Sequence, residues 1–511
     1  MEIKWPWELS RFQHLPVLAL AWRLKRDGED ADGRRYETEF RDQVTDWICN
    51  NPLGVGVNWA CEMDLAIRVV NWVAAFLLFG REVQRRCPWQ QRFWKSVQQH
   101  GRFLYSMLKH PGGKQGNHYA AELAGLYMLA GLCPFLRGAG KWRTLAKRGL
   151  QEQIGKQVRG DGVHFEESVS YHLLVTEVFL YPLLLADTTD DAFSREYRAV
   201  VVKMLGVIDS IRSSRFEMPQ IGDNDDGYFF KPVPLEGPET RVRHLLSFRP
   251  RLRQQEAFSS VPELLLRLFL ADSPLSTSVQ QMARRDGIAV FDRAGWGVLR
   301  GGPIQVNICV GPNGESGSGH AHEDGLSICI FWDGQPVIVD PGTYCYTAFP
   351  EKRNRFRYGP FHNHPQPVRN ESEYSARPPF ARIALPETRW QTSQRPPRIE
   401  AEASREADRA QRTVELDAES RFVEVTDRLE SAEPGRVALC FAPGVEVERV
   451  RGNYRIVTPT KSVLQLESKE LDFVPVQGLF SAGYGKACNT AWLVCESKMP
   501  GLNGSWRLSG R

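Results

Sequence analysis

No stretch of this sequence approaches 18 uncharged apolar residues, so nothing in it reads as a membrane-crossing helix. The opening, MEIKWPWELSRF, lacks the basic and then apolar segments of a secretory leader. That favours the cytoplasm as written, and the periplasm or the exterior if a leader has been removed. The ten cysteines are scattered without a C-x-x-C pair, which excludes zinc knuckles and dithiol redox motifs and leaves buried thiols as the expectation. Charge of one sign is not in excess either: 65 lysines and arginines face 61 acidic residues, and the net +4 is spread along the chain. Nucleic acid is therefore not an expected partner, although local basic patches could hold an anionic sugar chain. There is no clear sequence repeat, and no feature specifies an oligomeric state.

What is present suffices for two cores, since 511 residues with 42% hydrophobic content exceed what one core usually organises. Residues 38–270 read as successive helices, with apolar positions such as Leu123, Leu126, Tyr127 and Ala130 returning at three and four. Expected helices include 57–79, 90–109, 168–186 and 195–213, separated by breakers such as Pro111-Gly112-Gly113. After Asp272-Ser273-Pro274 the texture changes to short β-branched and aromatic runs, as in PIQVNICVG and LSICIFWDGQPVIVD, where Asp333-Gly334 signals a hairpin. The chain is thus expected to be α+β and multidomain: a helical domain over residues 1–275 and an antiparallel β domain over 276–511. The charged stretch 369–412 is expected to form loops over one sheet face.

Histidine is informative because only 11 are present and four fall in two tight groups: His320 and His322 in SGSGHAHEDGLS, His362 and His364 in FHNHP. In a strand, His320 and His322 would share one face. Between the groups, the apolar run VIVD delivers Asp340 at its end. His322, Asp340 and His362 would make a two-histidine, one-carboxylate metal site, for which zinc is the natural ion. The bland alternative is separate surface histidines and an aspartate capping the turn at Pro341.

Two helical segments carry polar residues at helix starts. QGNHYAAELAGL places Asn117 as an N-cap beside His118, with Glu122 a turn on. DGVHFEESVSYHLL places His164, Glu166, Glu167, Tyr171 and His172 around a helix's first turns. Capping and satisfied polar groups would explain either segment alone. IGDNDDGYF, with Asp223, Asp225 and Asp226, misses the EF-hand spacing and reads as a turn or substrate-facing loop rather than a calcium site. The aromatic start, Trp5, Trp7, Phe12 and Trp22, could stack on sugars but is expected to pack a helix entry.

Taken in order, KWPWELSRFQHL, VNWACEMDLAIRVVNW, GNHYAAELAGL, DGVHFEESVSYH, GDNDDG, GHAHEDGLS, VDPGTYCY and the HN of FHNH resemble the heparinase II/III-like family of polysaccharide lyases over most of the chain. The resemblance implies an incomplete (α/α) toroid followed by an antiparallel β-sandwich. It carries the family's asparagine onto Asn117, its catalytic tyrosine onto Tyr171 and its catalytic histidine onto His320. The metal ligands of relatives fall on His322, Asp340 and His362, with zinc in a structural role. One departure is local: many relatives read H-N-T where this chain reads His362-Asn363-His364.

The implied partner is an anionic, uronate-containing polysaccharide: heparan sulfate-like, alginate-like or a bacterial exopolysaccharide. The implied chemistry is β-elimination, in which Asn117 and His118 neutralise the uronate carboxylate, Tyr171 protonates the leaving O4, and Tyr171 or His320 removes the C5 proton. Two rivals are a glycoside hydrolase using a carboxylate pair from Glu166, Glu167, Asp223 or Asp225, and a non-catalytic binding factor in exopolysaccharide assembly.

Overall fold

A computed structural model describes residues 2–26, 34–80, 88–110, 112, 116–189, 191–232, 239–270, 286–311, 319–370, 372–383 and 386–510. The breakers Pro111 and Gly113, Cys87, and the expected boundary at 275/276 lie outside these residues. The N-terminal half is helical: α1 (Lys4–Ser10), α2 (Leu15–Arg26), α3 (Arg34–Asn50), α4 (Glu62–Phe79), α5 (Pro88–Lys109), α6 (Asn117–Leu132), α7 (Ala139–Gln157), α8 (Val169–Thr188), α9 (Arg195–Ile211), α10 (Glu239–Ser247), α11 (Arg249–Gln254) and α12 (Val261–Phe269).

The chain divides into two compact units. The first holds residues 1–157, 174–205 and 228–280; the second holds 158–173, 206–227 and 281–511.

In the first unit α4 is buried almost all round, as a core helix must be when nearly every position is apolar. Glu62 and Asp64 lie in its first turn, where the helix dipole favours negative charge, and Gly80 ends it at φ 74°. The helix packs against α2 and α6. Gly125 of α6 lets the two backbones approach, because a Cβ there would lie 2.6 Å from that of Ala66. By contrast α5 is amphipathic, burying Phe93, Val97, His100, Leu104 and Leu108 on one stripe.

Helix α8 is 20 residues long and apolar enough to cross a bilayer, yet it is wholly buried within the protein, as a core helix would be. It also carries Glu177, whose carboxylate accepts from Arg241 Nε at 2.7 Å and from the Phe229 backbone N–H at 2.8 Å.

The second unit is built on antiparallel strands: β1 (Gly287–Phe291), β2 (Trp296–Gly301), β3 (Ile304–Cys309), β4 (Ser327–Trp332), β5 (Gln335–Val339), β6 (Gln366–Pro367), β7 (Glu387–Gln394), β8 (Pro397–Arg405), β9 (Asp408–Asp417), β10 (Phe422–Phe441), β11 (Glu446–Val450), β12 (Asn453–Val457), β13 (Val463–Lys469), β14 (Val474–Gly483) and β15 (Lys486–Gly510). The long strands β10 and β15 belong to two layers. Their registers shift near Pro434, where β10 passes from pairing with β9 to pairing with β5. One layer runs β1-β2-β3-β4-β5-β10-β15-β14, the other β7-β8-β9-β10-β15-β13-β12-β11. A single core, with Val306, Ile330 and Ile338 from the first and Ile399, Val414, Ile456 and Leu508 from the second, joins them into a sandwich.

The expected hairpin is present, with Asp333 at φ 48° and Gly334 at φ 78° between β4 and β5. The stretch 369–412 departs from the expectation of loops, because much of it forms β7, β8 and the start of β9. Its polar residues alternate with Thr388, Ile399, Ala401 and Ala403, which point inward, so the charge marks the outer face of strands.

A second apolar cluster explains why two segments from the helical half belong with the sheet. Val163, Val169, Val207, Ile211 and Ile221 pack with Phe291, Trp296, Val298 and Cys309. Polar bonds reinforce this: Gln305 Nε2 and Asn307 Nδ2 both donate to the Ile211 carbonyl at 2.8 Å, and the Ala294 N–H donates to Asp161 at 3.0 Å.

Candidate functional site

Three segments of the second unit converge on Gly222. The turn before α8 supplies Glu167 and Ser168, the loop 221–227 supplies Asp223 and Asp225, and the loop before β4 supplies His320 and His322. Gly222 has φ 64°, and a Cβ on it would lie 2.7 Å from the Glu167 carbonyl oxygen and 2.9 Å from that of His320, so only glycine fits. The Asp223 N–H donates to the His320 carbonyl at 2.9 Å, the Val169 N–H to the Ile221 carbonyl at 3.0 Å, and the Tyr171 N–H to Ser168 Oγ at 3.1 Å, capping α8.

Tyr171 and His320 meet here. Their rings stack with centroids 3.8 Å apart. The Tyr171 hydroxyl lies 3.1 Å from Asp225 Oδ2 and 3.0 Å from the Tyr346 hydroxyl. A carboxylate only accepts, so Tyr171 donates to Asp225 and takes the proton of Tyr346. Burial and the charges of Asp225 and Asp223 push the Tyr171 phenol well above its usual range, so it stays protonated at neutral pH. The His320 side chain is 16% exposed, whereas those of Asp223, His322 and Arg353 are fully buried, so His320 is the member of this group open to a ligand.

Asp223 organises the histidines. His320 Nδ1 lies 2.9 Å from its Oδ2 and His322 Nε2 lies 2.8 Å from its Oδ1, with Arg353 2.7 Å from both oxygens. Although burial opposes ionisation, Arg353 and the two imidazoles hold this carboxyl far below the ordinary range. The histidines sit in a loop ahead of β4 rather than on a strand, and share a carboxylate instead of a strand face.

His322, Asp340 and His362 form a buried triad whose ligand-capable atoms all lie within 4.8 Å of one another. It is the group of this kind found among the described residues. Asp340 follows β5 directly and accepts from His362 Nδ1 at 2.6 Å. His322 Nδ1 and His362 Nε2 are buried with no hydrogen-bond partner, as nitrogens meant for a cation would be. Against the cost of burial, Asp340 raises His362 to about 9, so this spot favours positive charge. The donors fit a metal ion.

Asn363 is structural: its amide donates to the carbonyls of Ile328 and Val339 at 2.7 and 3.2 Å and accepts from the Ile328 N–H at 2.8 Å, bridging β4 and β5. His364, the departure from H-N-T, lies outside the triad, and burial depresses it to about 3.

Asn117 and His118 lie in the first unit at the start of α6. The N-cap there is Gly116 at φ 86°, and Asn117 is the first helical residue, a correction to the capping expectation: glycine reaches the positive φ that asparagine would adopt at more cost. Asn117 is buried, and His118 is exposed with Nδ1 3.8 Å from Cys61 Sγ. The aromatic start divides: Phe12 packs on Trp72 and Trp22 on Phe79, whereas Trp5 is exposed. Arg11 pairs with Asp64 at 2.5 Å, so the first two sequence blocks hold each other.

Three of the four carboxylates considered for hydrolysis are committed elsewhere: Asp223 to Arg353 and two histidines, Asp225 to Tyr171, and Glu167 to Arg159 at 2.7 Å. Residue-level reading missed Tyr346 and Arg353. Tyr346 stood in the quoted VDPGTYCY block without a role, and Arg353 had no signal beyond a basic stretch.

A helical domain of the α/α-toroid type joined to an antiparallel β-sandwich, with a stacked tyrosine–histidine pair next to a His–Asp–His triad, defines the class. Residues 1–228 match the heparinase II/III N-terminus and residues 283–507 the heparinase II/III-like C-terminal domain. The chain belongs to the heparinase II/III-like family. Among curated proteins it is similar to heparin-sulfate lyases of Pedobacter heparinus (24% identity over 370 residues, 70% of this chain and 51% of the relative) and Bacteroides stercoris (24% over 378 residues, 70% and 53%). The chain spans about half the length of the curated relatives it matches. Among solved structures, that of heparinase III aligns with a TM-score of 0.77 at 16% identity, covering 98% of this chain and 76% of that one. A Paenibacillus xanthan lyase aligns at 0.55 and 8%, covering 98% and 60%. These likenesses concern the fold.

Proposed function

We propose that this chain is a polysaccharide lyase that cleaves a uronate-containing polymer of the heparan sulfate kind by β-elimination. The observation that carries the reading is the Tyr171–His320 stack, in which a phenol held protonated faces an imidazole anchored at Nδ1. A protonated phenol suits the general acid that delivers a proton to the leaving O4. An imidazole whose Nδ1 is taken up by Asp223 presents Nε2 as the acceptor for the C5 proton. Asn117 and His118 are assigned to the substrate carboxylate, whose negative charge must be offset before C5 can lose a proton. Asp225 and Tyr346 hold the Tyr171 hydroxyl in place.

Two imidazoles and a carboxylate suit zinc, which we assign to His322, Asp340 and His362 in a structural role. When bound it would supply fixed positive charge that secures the loop carrying His320.

The test is ultraviolet absorbance of unsaturated uronate during incubation with heparan sulfate, heparin, hyaluronan, chondroitin, alginate and bacterial exopolysaccharides. A rise on heparan sulfate is expected. Release of reducing ends without absorbance would mean hydrolysis, and binding without either would mean a non-catalytic role.

A further inference from the structure

Asp223 stands between two imidazoles that have different tasks in the reading above. Its Oδ2 faces His320 Nδ1 at 2.9 Å and its Oδ1 faces His322 Nε2 at 2.8 Å, and all three side chains lie in the second unit. Arg353 contacts both oxygens, so the group is a carboxylate and can only accept. Each facing nitrogen must then carry its proton. For His320 this leaves Nε2 with the lone pair. For His322 it leaves Nδ1, which is the buried nitrogen without a hydrogen-bond partner in the triad.

A competing arrangement exists, because Arg353 Nη1 lies 3.3 Å from His322 Nε2 and could donate to it. That would put the His322 proton on Nδ1 and abolish its ligand capacity. The contact to Asp223 is 0.5 Å shorter and joins a donor to an anion, so it prevails.

We infer that Asp223 is a positioning residue that fixes both tautomers at once, selecting the proton-accepting nitrogen of His320 and the metal-ligating nitrogen of His322 through one buried carboxylate. A carboxylate behind a ligating histidine orients the ring and raises its basicity. Here the same carboxylate also holds the histidine assigned to proton abstraction, so loop order at the triad and readiness of His320 are one property.

The inference rests on the proposed role of His320, but its test needs no turnover. Nitrogen-15 NMR of the imidazoles should show His320 as the Nδ1–H tautomer and His322 as the Nε2–H tautomer in the unaltered protein; the opposite tautomer at either ring overturns the inference. In Asp223→Asn, an amide oxygen and an amide NH₂ replace two equivalent acceptors, so one ring must change tautomer. Where His322 is the ring that changes, zinc affinity, measured by chelator competition, should fall about 10- to 100-fold; where His320 changes, its proton should move to Nε2. An unchanged near-ultraviolet circular dichroism spectrum, sensitive to the buried Trp296, Trp332, Trp492 and Trp506 of the second unit, would report an intact fold. With the fold intact, two unchanged tautomers in the variant, or an inverted His322 tautomer with wild-type zinc affinity, defeats the inference; if the variant does not fold, the tautomers of the unaltered protein decide. Correct tautomers without elimination on any polymer would instead sink the proposed activity and leave this inference standing.

Discussion

Tyr171 has its hydroxyl between an acceptor, Asp225, and a donor, Tyr346, which fixes the direction of its proton as well as its position. Removing the hydroxyl in Tyr171→Phe keeps the stacked ring, so circular dichroism and Tm should change little. Elimination should drop about 10²- to 10⁴-fold, the usual contribution of one positioned acid; turnover near wild type would refute the assignment. Tyr346→Phe removes only the bond offered to Tyr171 and should reduce kcat about 3- to 10-fold, in line with one neutral hydrogen bond. A loss as large as that of Tyr171→Phe would give Tyr346 a direct part in the chemistry. The spacing of His320 and His322 singled them out, but it suggested a shared strand face where the structure gives a shared carboxylate; Tyr171 was singled out by the resemblance of its block. Arg353 was not, because Lys352, Arg353, Arg355 and Arg357 are alike in sequence and only the packing of helix Pro350–Arg357 decides which faces Asp223.

Among the elements, helices follow their periodicities and strands are legible from theirs outside 387–412, whereas positive φ falls on many glycines but also on Phe12, Phe216, Leu326 and Tyr344. Glycines separate into two kinds that the sequence does not distinguish. Gly125 on α6 has no room for a methyl, so Gly125→Ala should force α4 and α6 apart and cost about 1–3 kcal/mol in chemical denaturation. Gly155, inside α7, has nothing within 4 Å of its missing Cβ, so Gly155→Ala should stabilise by about 0.4–1 kcal/mol through helix propensity and reduced unfolded-chain entropy. A loss of stability at Gly155, or none at Gly125, would contradict the packing described.

At the scale of the whole molecule, buried neutral histidines govern the acid limit. Burial lowers His164 and His244 to about 4 and carries His100 well below its ordinary value. Between about pH 6.5 and pH 4 the unfolded chain binds protons that the folded chain refuses, so stability must fall as pH falls. Each shift of some 2.5 units is worth about 3 kcal/mol at most, reached near pH 4. Asp324, raised by burial to about 6, and Glu177, also raised by burial, act in the opposite sense, against these three histidines and His364, depressed to about 3. Denaturation midpoints should therefore decline from pH 7 to pH 4.5; a flat profile would mean that these histidines titrate normally.

The sequence by itself determined a helical half followed by an antiparallel β half, the Asp333-Gly334 hairpin and the residue types of the site, because periodicity, turn chemistry and ligand chemistry are local properties; the toroid and the sandwich came from the family resemblance. Tertiary structure alone decided that residues 158–173 and 206–227 join the sandwich, and that Asp223 meets Arg353 across 130 positions. The reason is that apolar surface is buried against whatever neighbour the fold supplies. Val163, Val169, Val207 and Ile221 find that neighbour in β1–β3, and chain order carries no record of it.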